Sequence, residues 1–169
     1  MNKTDKYNIE KKRKETSLKT MYFNRFLLIR YITAALFFSN LYWFSALLIS
    51  RKITVFIPGI LLICMTVTAL EQFTFFSQPS DEAKKTRFSY KVTLSINVII
   101  LALVASPLFS ELFPFLLDNM KSKGIILGII SLGVVLCLIT LKRLEKIENH
   151  TDKQYKYAKQ LERTLRVKV

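Results

Sequence analysis

Four apolar runs alternate with polar, charge-rich stretches along the chain, at 26–49, 53–76, about 92–113 and 124–141. At the helical rise, the first run extends about 36 Å, more than the roughly 30 Å hydrocarbon core of a bilayer. The fourth is the shortest and just long enough. The pattern predicts an all-α integral membrane four-helix bundle in three parts. These are a basic juxtamembrane helix at 1–25, a four-span domain at 26–141 and a basic amphipathic tail helix at 142–169.

The breaks between runs refine this picture. Ser50-Arg51-Lys52 is too short for anything but a tight antiparallel hairpin between spans one and two. Pro58-Gly59 falls within the first turns of span two, where a missing N–H costs little, so it predicts a slight kink or a late helix start. Gln78-Pro79-Ser80-Asp81 opens the one substantial polar loop, between spans two and three. Pro107 predicts a kink or stop in span three, leaving 106–120 as an interfacial or re-entrant piece.

Charge then orients the bundle. Of 26 Lys and Arg residues, only Arg51, Lys52, Lys121 and Lys123 lie in the two turns on one side; the rest flank the spans on the other. By the positive-inside rule this predicts N-in and C-in termini, which an even number of spans also requires. The first 25 residues are polar, so no signal peptide is expected. Arg30, one turn inside span one, is expected to snorkel to the headgroups.

Within the spans the costly polar groups are Asn40, Asn97 and Glu71. An Asn at membrane depth usually bonds across a helix interface, for about 1 kcal/mol or less; the alternative is a substrate contact. Glu71 is expected to face headgroup water and pair with Arg25 or Lys91. No second buried acid accompanies it, as a proton relay would need. Cys64 and Cys137 read as free thiols that pack as small apolar residues. Tyr42, Trp43 and Phe44 read as an aromatic belt. Gly124 and Gly128 form a G-x-x-x-G pair that serves either packing within the bundle or dimerisation.

The flanking helices carry the surfaces for partners. The 3–19 segment is dense in Lys, Arg and Glu, and reads as a solvated helix attracted to a bilayer with anionic headgroups. No nucleic acid is expected, because no stacking surface accompanies the charge. In the tail, Leu144, Ile147, Thr151, Gln154, Ala158, Leu161 and Leu165 recur at alternating three- and four-residue spacing, the seam of a helix with one contact face. Its polar middle weakens a zipper. The seam therefore lies on the membrane or on the chain's own N-terminal helix, or serves self-association or a partner helix. His150, the only histidine, reads as a surface residue.

Composition narrows the chemistry. With 4 Gly, 4 Pro and 1 His in 169 residues, the chain lacks phosphate-cradling loops, broken transport helices and a histidine metal cage. No nucleophile, metallohydrolase or nucleotide motif occurs, so no enzyme, cofactor or metal is expected.

The stretch Met21-Tyr22-Phe23-Asn24-Arg25-Phe26-Leu27-Leu28-Ile29-Arg30-Tyr31, with Asn40-Leu41-Tyr42-Trp43, resembles uncharacterised small four-span membrane proteins of low-GC Gram-positive bacteria. Some of those carry a label as a cellobiose-type phosphotransferase component IIA. That component is a soluble helical protein with a phosphorylated histidine, and His150 is the one residue here of that type. The resemblance implies a bacterial cytoplasmic membrane, and no catalytic residues. The leading expectation is a non-enzymatic accessory or regulatory subunit of a larger membrane complex, partnered by a membrane protein or by copies of itself. The alternative is a transporter or channel subunit, linked to phosphotransferase-type sugar uptake, that lines a path with Asn40, Asn97 and Glu71.

Overall fold

The computed structural model describes residues 3–77 and 82–167; the side chains at 3–4, 6–8, 11, 76–77 and 164–167, and all of the predicted loop at 78–81, lie outside the description. Every regular element among the described residues is helical: α1 (Lys3–Asn24), α2 (Leu27–Ile49), α3 (Phe56–Ser77), α4 (Lys84–Val104), α5 (Phe109–Leu112), α6 (Met120–Glu148) and α7 (Lys153–Val167). Four of them, α2, α3, α4 and α6, are long and apolar enough to cross a membrane. They pack in sequence, α2 on α3, α3 on α4 and α4 most extensively on α6, which also touches α2.

Local chemistry sets the boundaries. At the end of α2, Arg51 adopts φ 50°, Lys52 N–H donates to Leu47 O and Arg51 N–H to Leu48 O. This is a Schellman turn, which leaves the helix with its last carbonyls satisfied. A single 3-10 turn (Ile53–Val55) follows, and α3 begins only at Phe56, so Pro58 sits in its first turn and breaks no helix bond. That is the late start allowed by Pro58-Gly59. Gly59 has a packing reason as well, since a Cβ there would lie 3.5 Å from the Phe44 ring.

The third apolar helix differs from the expected 92–113. It starts at Lys84 and stops at Val104, because the Glu71 carboxylate caps its first turn and Ser106-Pro107 ends it. The chain then folds back through α5. Phe109, Leu112 and Phe113 are buried there against Ile100, Val104 and Ile126. Trp43 stacks on Phe113 at 5.3 Å and donates its indole N–H to Leu112 O. Of the expected aromatic belt only Tyr42 points outward, at 80% exposure; Trp43 and Phe44 pack inward. Lys52 and Thr54 tie the α2–α3 turn to Glu111 of α5.

The fourth apolar helix also outruns its expected 124–141, from an Asn119 N-cap on Ser122 N–H to Glu148. It ends in a second Schellman turn, with His150 at φ 54°, His150 N–H on Ile147 O and Thr151 N–H on Lys146 O. The tail is thus two helices joined by a turn, and α7 packs back along α1. Leu144 and Ile147 of α6 join the core among the apolar helices, and only the α7 part of the tail lies along α1.

Candidate functional site

Two helix breaks on the side of the termini meet at one point. Arg25 occupies the turn between α1 and α2, Asp152 the turn between α6 and α7, and each side chain is buried, at 1% and 0% exposure. Arg25 Nη2 donates to Asp152 Oδ1 and Nε to Oδ2, at 2.9 and 3.2 Å, a bidentate pairing. Nη2 also donates to Ile147 O at the end of α6, at 2.9 Å. Asp152 Oδ2 accepts from Tyr155 N–H and so caps α7. The Tyr155 ring lies under the guanidinium at 4.9 Å and stacks on His150 at 4.4 Å. Burying two charges costs several kcal/mol each, and only a fully bonded geometry offsets it. Here every oxygen of the carboxylate is used, so the clasp holds α1 and α7 to the four apolar helices.

The expected tail seam divides across this clasp. Leu144, Ile147 and Ala158 are buried, Leu161 is half-buried, Thr151 is exposed, and the side chain of Leu165 lies outside the described residues. Three of the described seam residues, Leu144, Ile147 and Ala158, therefore pack within the chain. The Arg25–Asp152 pairing escaped sequence reasoning, which had offered Arg25 to Glu71. The available signal was Asp152 one residue beyond Thr151, at the polar interruption of the seam.

Glu71 pairs with neither Arg25 nor Lys91. From α3, its carboxylate accepts the Lys85 and Thr86 backbone N–H groups at 3.1 and 2.6 Å, at the positive end of α4. Negative charge at a helix N-terminus is favourable by about 0.3–1 kcal/mol, so the contact both caps and docks α4. A turn deeper, Thr33 donates to Ile29 O, which leaves Tyr90 to donate its hydroxyl to Thr33 at 2.9 Å across the α2–α4 contact. Gln72 reaches the same Thr33 from α3 at 3.5 Å. Arg87 pairs with Glu148 at 2.7 Å and closes the α4–α6 side.

Asn40 turns its amide back to Leu36 O of its own helix, at 2.7 Å. Asn97 faces α6, with its Nδ2 3.5 Å from the Cβ position of Gly133 and its amide beside the Cys137 thiol. The structure does not bring Asn40, Asn97 and Glu71 to one site. Gly133 is the glycine of α6 that lets a neighbouring helix approach. Gly124 and Gly128 have nothing within 4 Å of an added Cβ, so the G-x-x-x-G face is open within the chain.

Between α2 and α3 lies a groove of about 460 Å³, lined by Arg30, Gln72, Phe37 and Met65 among others. The guanidinium carbon of Arg30 lies over the Phe23 ring, 3.3 Å from its centre, and both Nη atoms are buried without a hydrogen-bond partner. The guanidinium that the sequence assigned to the headgroups lies against the Phe23 ring. Cys64 and Cys137 are free thiols. No group of three or more His, Cys, Asp or Glu that could hold a metal occurs among the described residues.

No family model matches the chain, and no curated protein or solved structure is significantly similar to it. The geometry defines the class of protein, one with four helices able to cross a membrane and a clasped helical pair at its termini.

Proposed function

We propose that the chain is a non-enzymatic accessory or regulatory subunit of a larger membrane complex, in a bacterial cytoplasmic membrane with both termini inside. The observation that carries this reading is the use of the polar groups of the spans as joints between helices. Glu71 caps α4, Thr33 bonds Tyr90, and Asn97 packs on Gly133. Groups spent on holding helices together are withdrawn from a solvated path, which argues against the transporter or channel reading. The open Gly124–Gly128 face supports the subunit reading further, because small residues allow close approach of a helix from another protein. The basic outer faces of α1 and α7 offer a second surface for an acidic partner.

Affinity purification of the tagged full-length protein in mild detergent tests this reading, with mass-spectrometric identification beside a G124L/G128L variant. Both positions are exposed and a Cβ added at either meets nothing within 4 Å, so the new side chains start outside the internal packing. A stoichiometric partner that is lost from the variant is the expected result. Recovery of the protein alone, as one discrete homo-oligomer that mediates flux in liposomes, would overturn the proposal in favour of a pore.

A further inference from the structure

The groove between α2 and α3 has a polar end and an apolar end. Arg30 and Phe23 stand at its mouth on the side of the termini, Gln72 and Thr33 come next, and the rest of the wall is Ala34, Phe37, Phe38, Met65, Ala69 and Phe73, with Thr66 the one polar group among them. Two polar groups there are unfulfilled. Both Nη atoms of Arg30 are buried without a partner, and so is Oε1 of Gln72, a residue only 2% exposed. Cationic N–H donors covered without an acceptor are costly, and these two Nη atoms have none. Arg25, five residues earlier, shows how the same chain completes a buried guanidinium when the acceptor is internal.

We infer that the groove is a binding site for one anionic phospholipid of the leaflet on the side of the termini. With the Phe23 ring that covers the guanidinium swung aside, the lipid's phosphate oxygens accept from the two Arg30 Nη atoms, a hydroxyl of the headgroup region donates to Gln72 Oε1, and one acyl chain lies along the aromatic and alanine wall. Three features converge on this occupant. The unfulfilled donors are cationic and forked, which matches phosphate. They sit one turn inside the end of α2, a helix long and apolar enough to cross a membrane. The apolar wall continues from them toward mid-helix, as an acyl chain does. The site is independent of the subunit reading, since lipid binding needs no protein partner.

Native mass spectrometry of the full-length protein tests the inference, with phosphatidylglycerol, phosphatidylethanolamine of the same acyl chains, or inorganic phosphate as probe. One phosphatidylglycerol per chain is expected to survive detergent exchange, in clear excess over phosphatidylethanolamine. R30Q should lower its retention about tenfold, the loss of a charge-assisted contact. A69F should lower retention by filling the groove with the charge in place, and it decides the matter if R30Q fails to fold. Equal retention of the two lipids, or retention unchanged in A69F, would overturn the inference. So would full displacement by inorganic phosphate, which would reveal an anion site that makes no use of the groove.

Discussion

Arg25 and Arg30 lie five residues apart at the same helix junction; the Arg25 side chain is buried whole, and Arg30 is half-buried with both Nη atoms covered. Arg25 is closed by Asp152, by a carbonyl at the end of α6 and by an aromatic ring. Arg30 has a ring beneath it and a groove beside it. Burial therefore serves two different ends. One arginine is part of the internal architecture, with its counter-charge supplied by the far end of the chain. The other is an internal cost until something outside the chain supplies the acceptor.

The largest expected effect breaks the closed member of the pair. D152A strands a buried cation and removes the α7 cap, so it should destabilise the α1–α7 docking by about 3–5 kcal/mol. Thermal unfolding in detergent, with hydrogen exchange to locate the opening, measures it. The double variant R25M/D152L should recover most of the loss, because apolar side chains of similar size carry no desolvation penalty. If the double variant is no better than D152A, the clasp acts through its helix cap and not its charges.

R30Q addresses the open member, and its sign is expected to depend on the lipid. In lipid-free detergent the substitution removes an uncompensated charge and should raise stability by about 1–3 kcal/mol. In vesicles rich in anionic lipid it should lower stability instead, because bound ligand stabilises the folded state by mass action. Melting curves in the two environments give both signs. A loss in both would mean that Arg30 has an internal partner and that the contrast with Arg25 fails.

The smallest effects come from the two Schellman turns. Arg51 and His150 occupy the left-handed region, which costs a residue with a Cβ about 1 kcal/mol, and R51G should stabilise by about 0.5–1 kcal/mol. H150G gains the same relief but loses the stack on Tyr155, worth about 0.5–1.5 kcal/mol, so its net change should fall near zero. The difference between the two melting shifts isolates the aromatic contribution to the clasp.

Much of the helical order could be read from the residues. Apolar runs bounded by charges mark four membrane-length helices, since a chain in hydrocarbon must satisfy its backbone within each segment. The hairpin at Ser50-Arg51-Lys52 and the stop at Pro107 are local chemistry and were legible too. The start of α4 was not, because Lys84 and Lys85 look like loop residues until Glu71 of another helix caps them. Trp43 was read as a membrane-interface aromatic, and its true partners Leu112 and Phe113 lie beyond two intervening spans.

The sequence by itself determined which segments are apolar enough to leave water, where they turn, and that the charge gathers beside them. These are properties of single segments, set by hydropathy, turn geometry and helix capping. Only the tertiary structure decided which buried polar group meets which. Arg25 finds Asp152 across 127 residues because two helix breaks come to the same depth on the same side of the packed helices. Arg30 finds no such break opposite it. Periodicity records the face a side chain occupies, whereas pairing depends on where the rest of the chain returns.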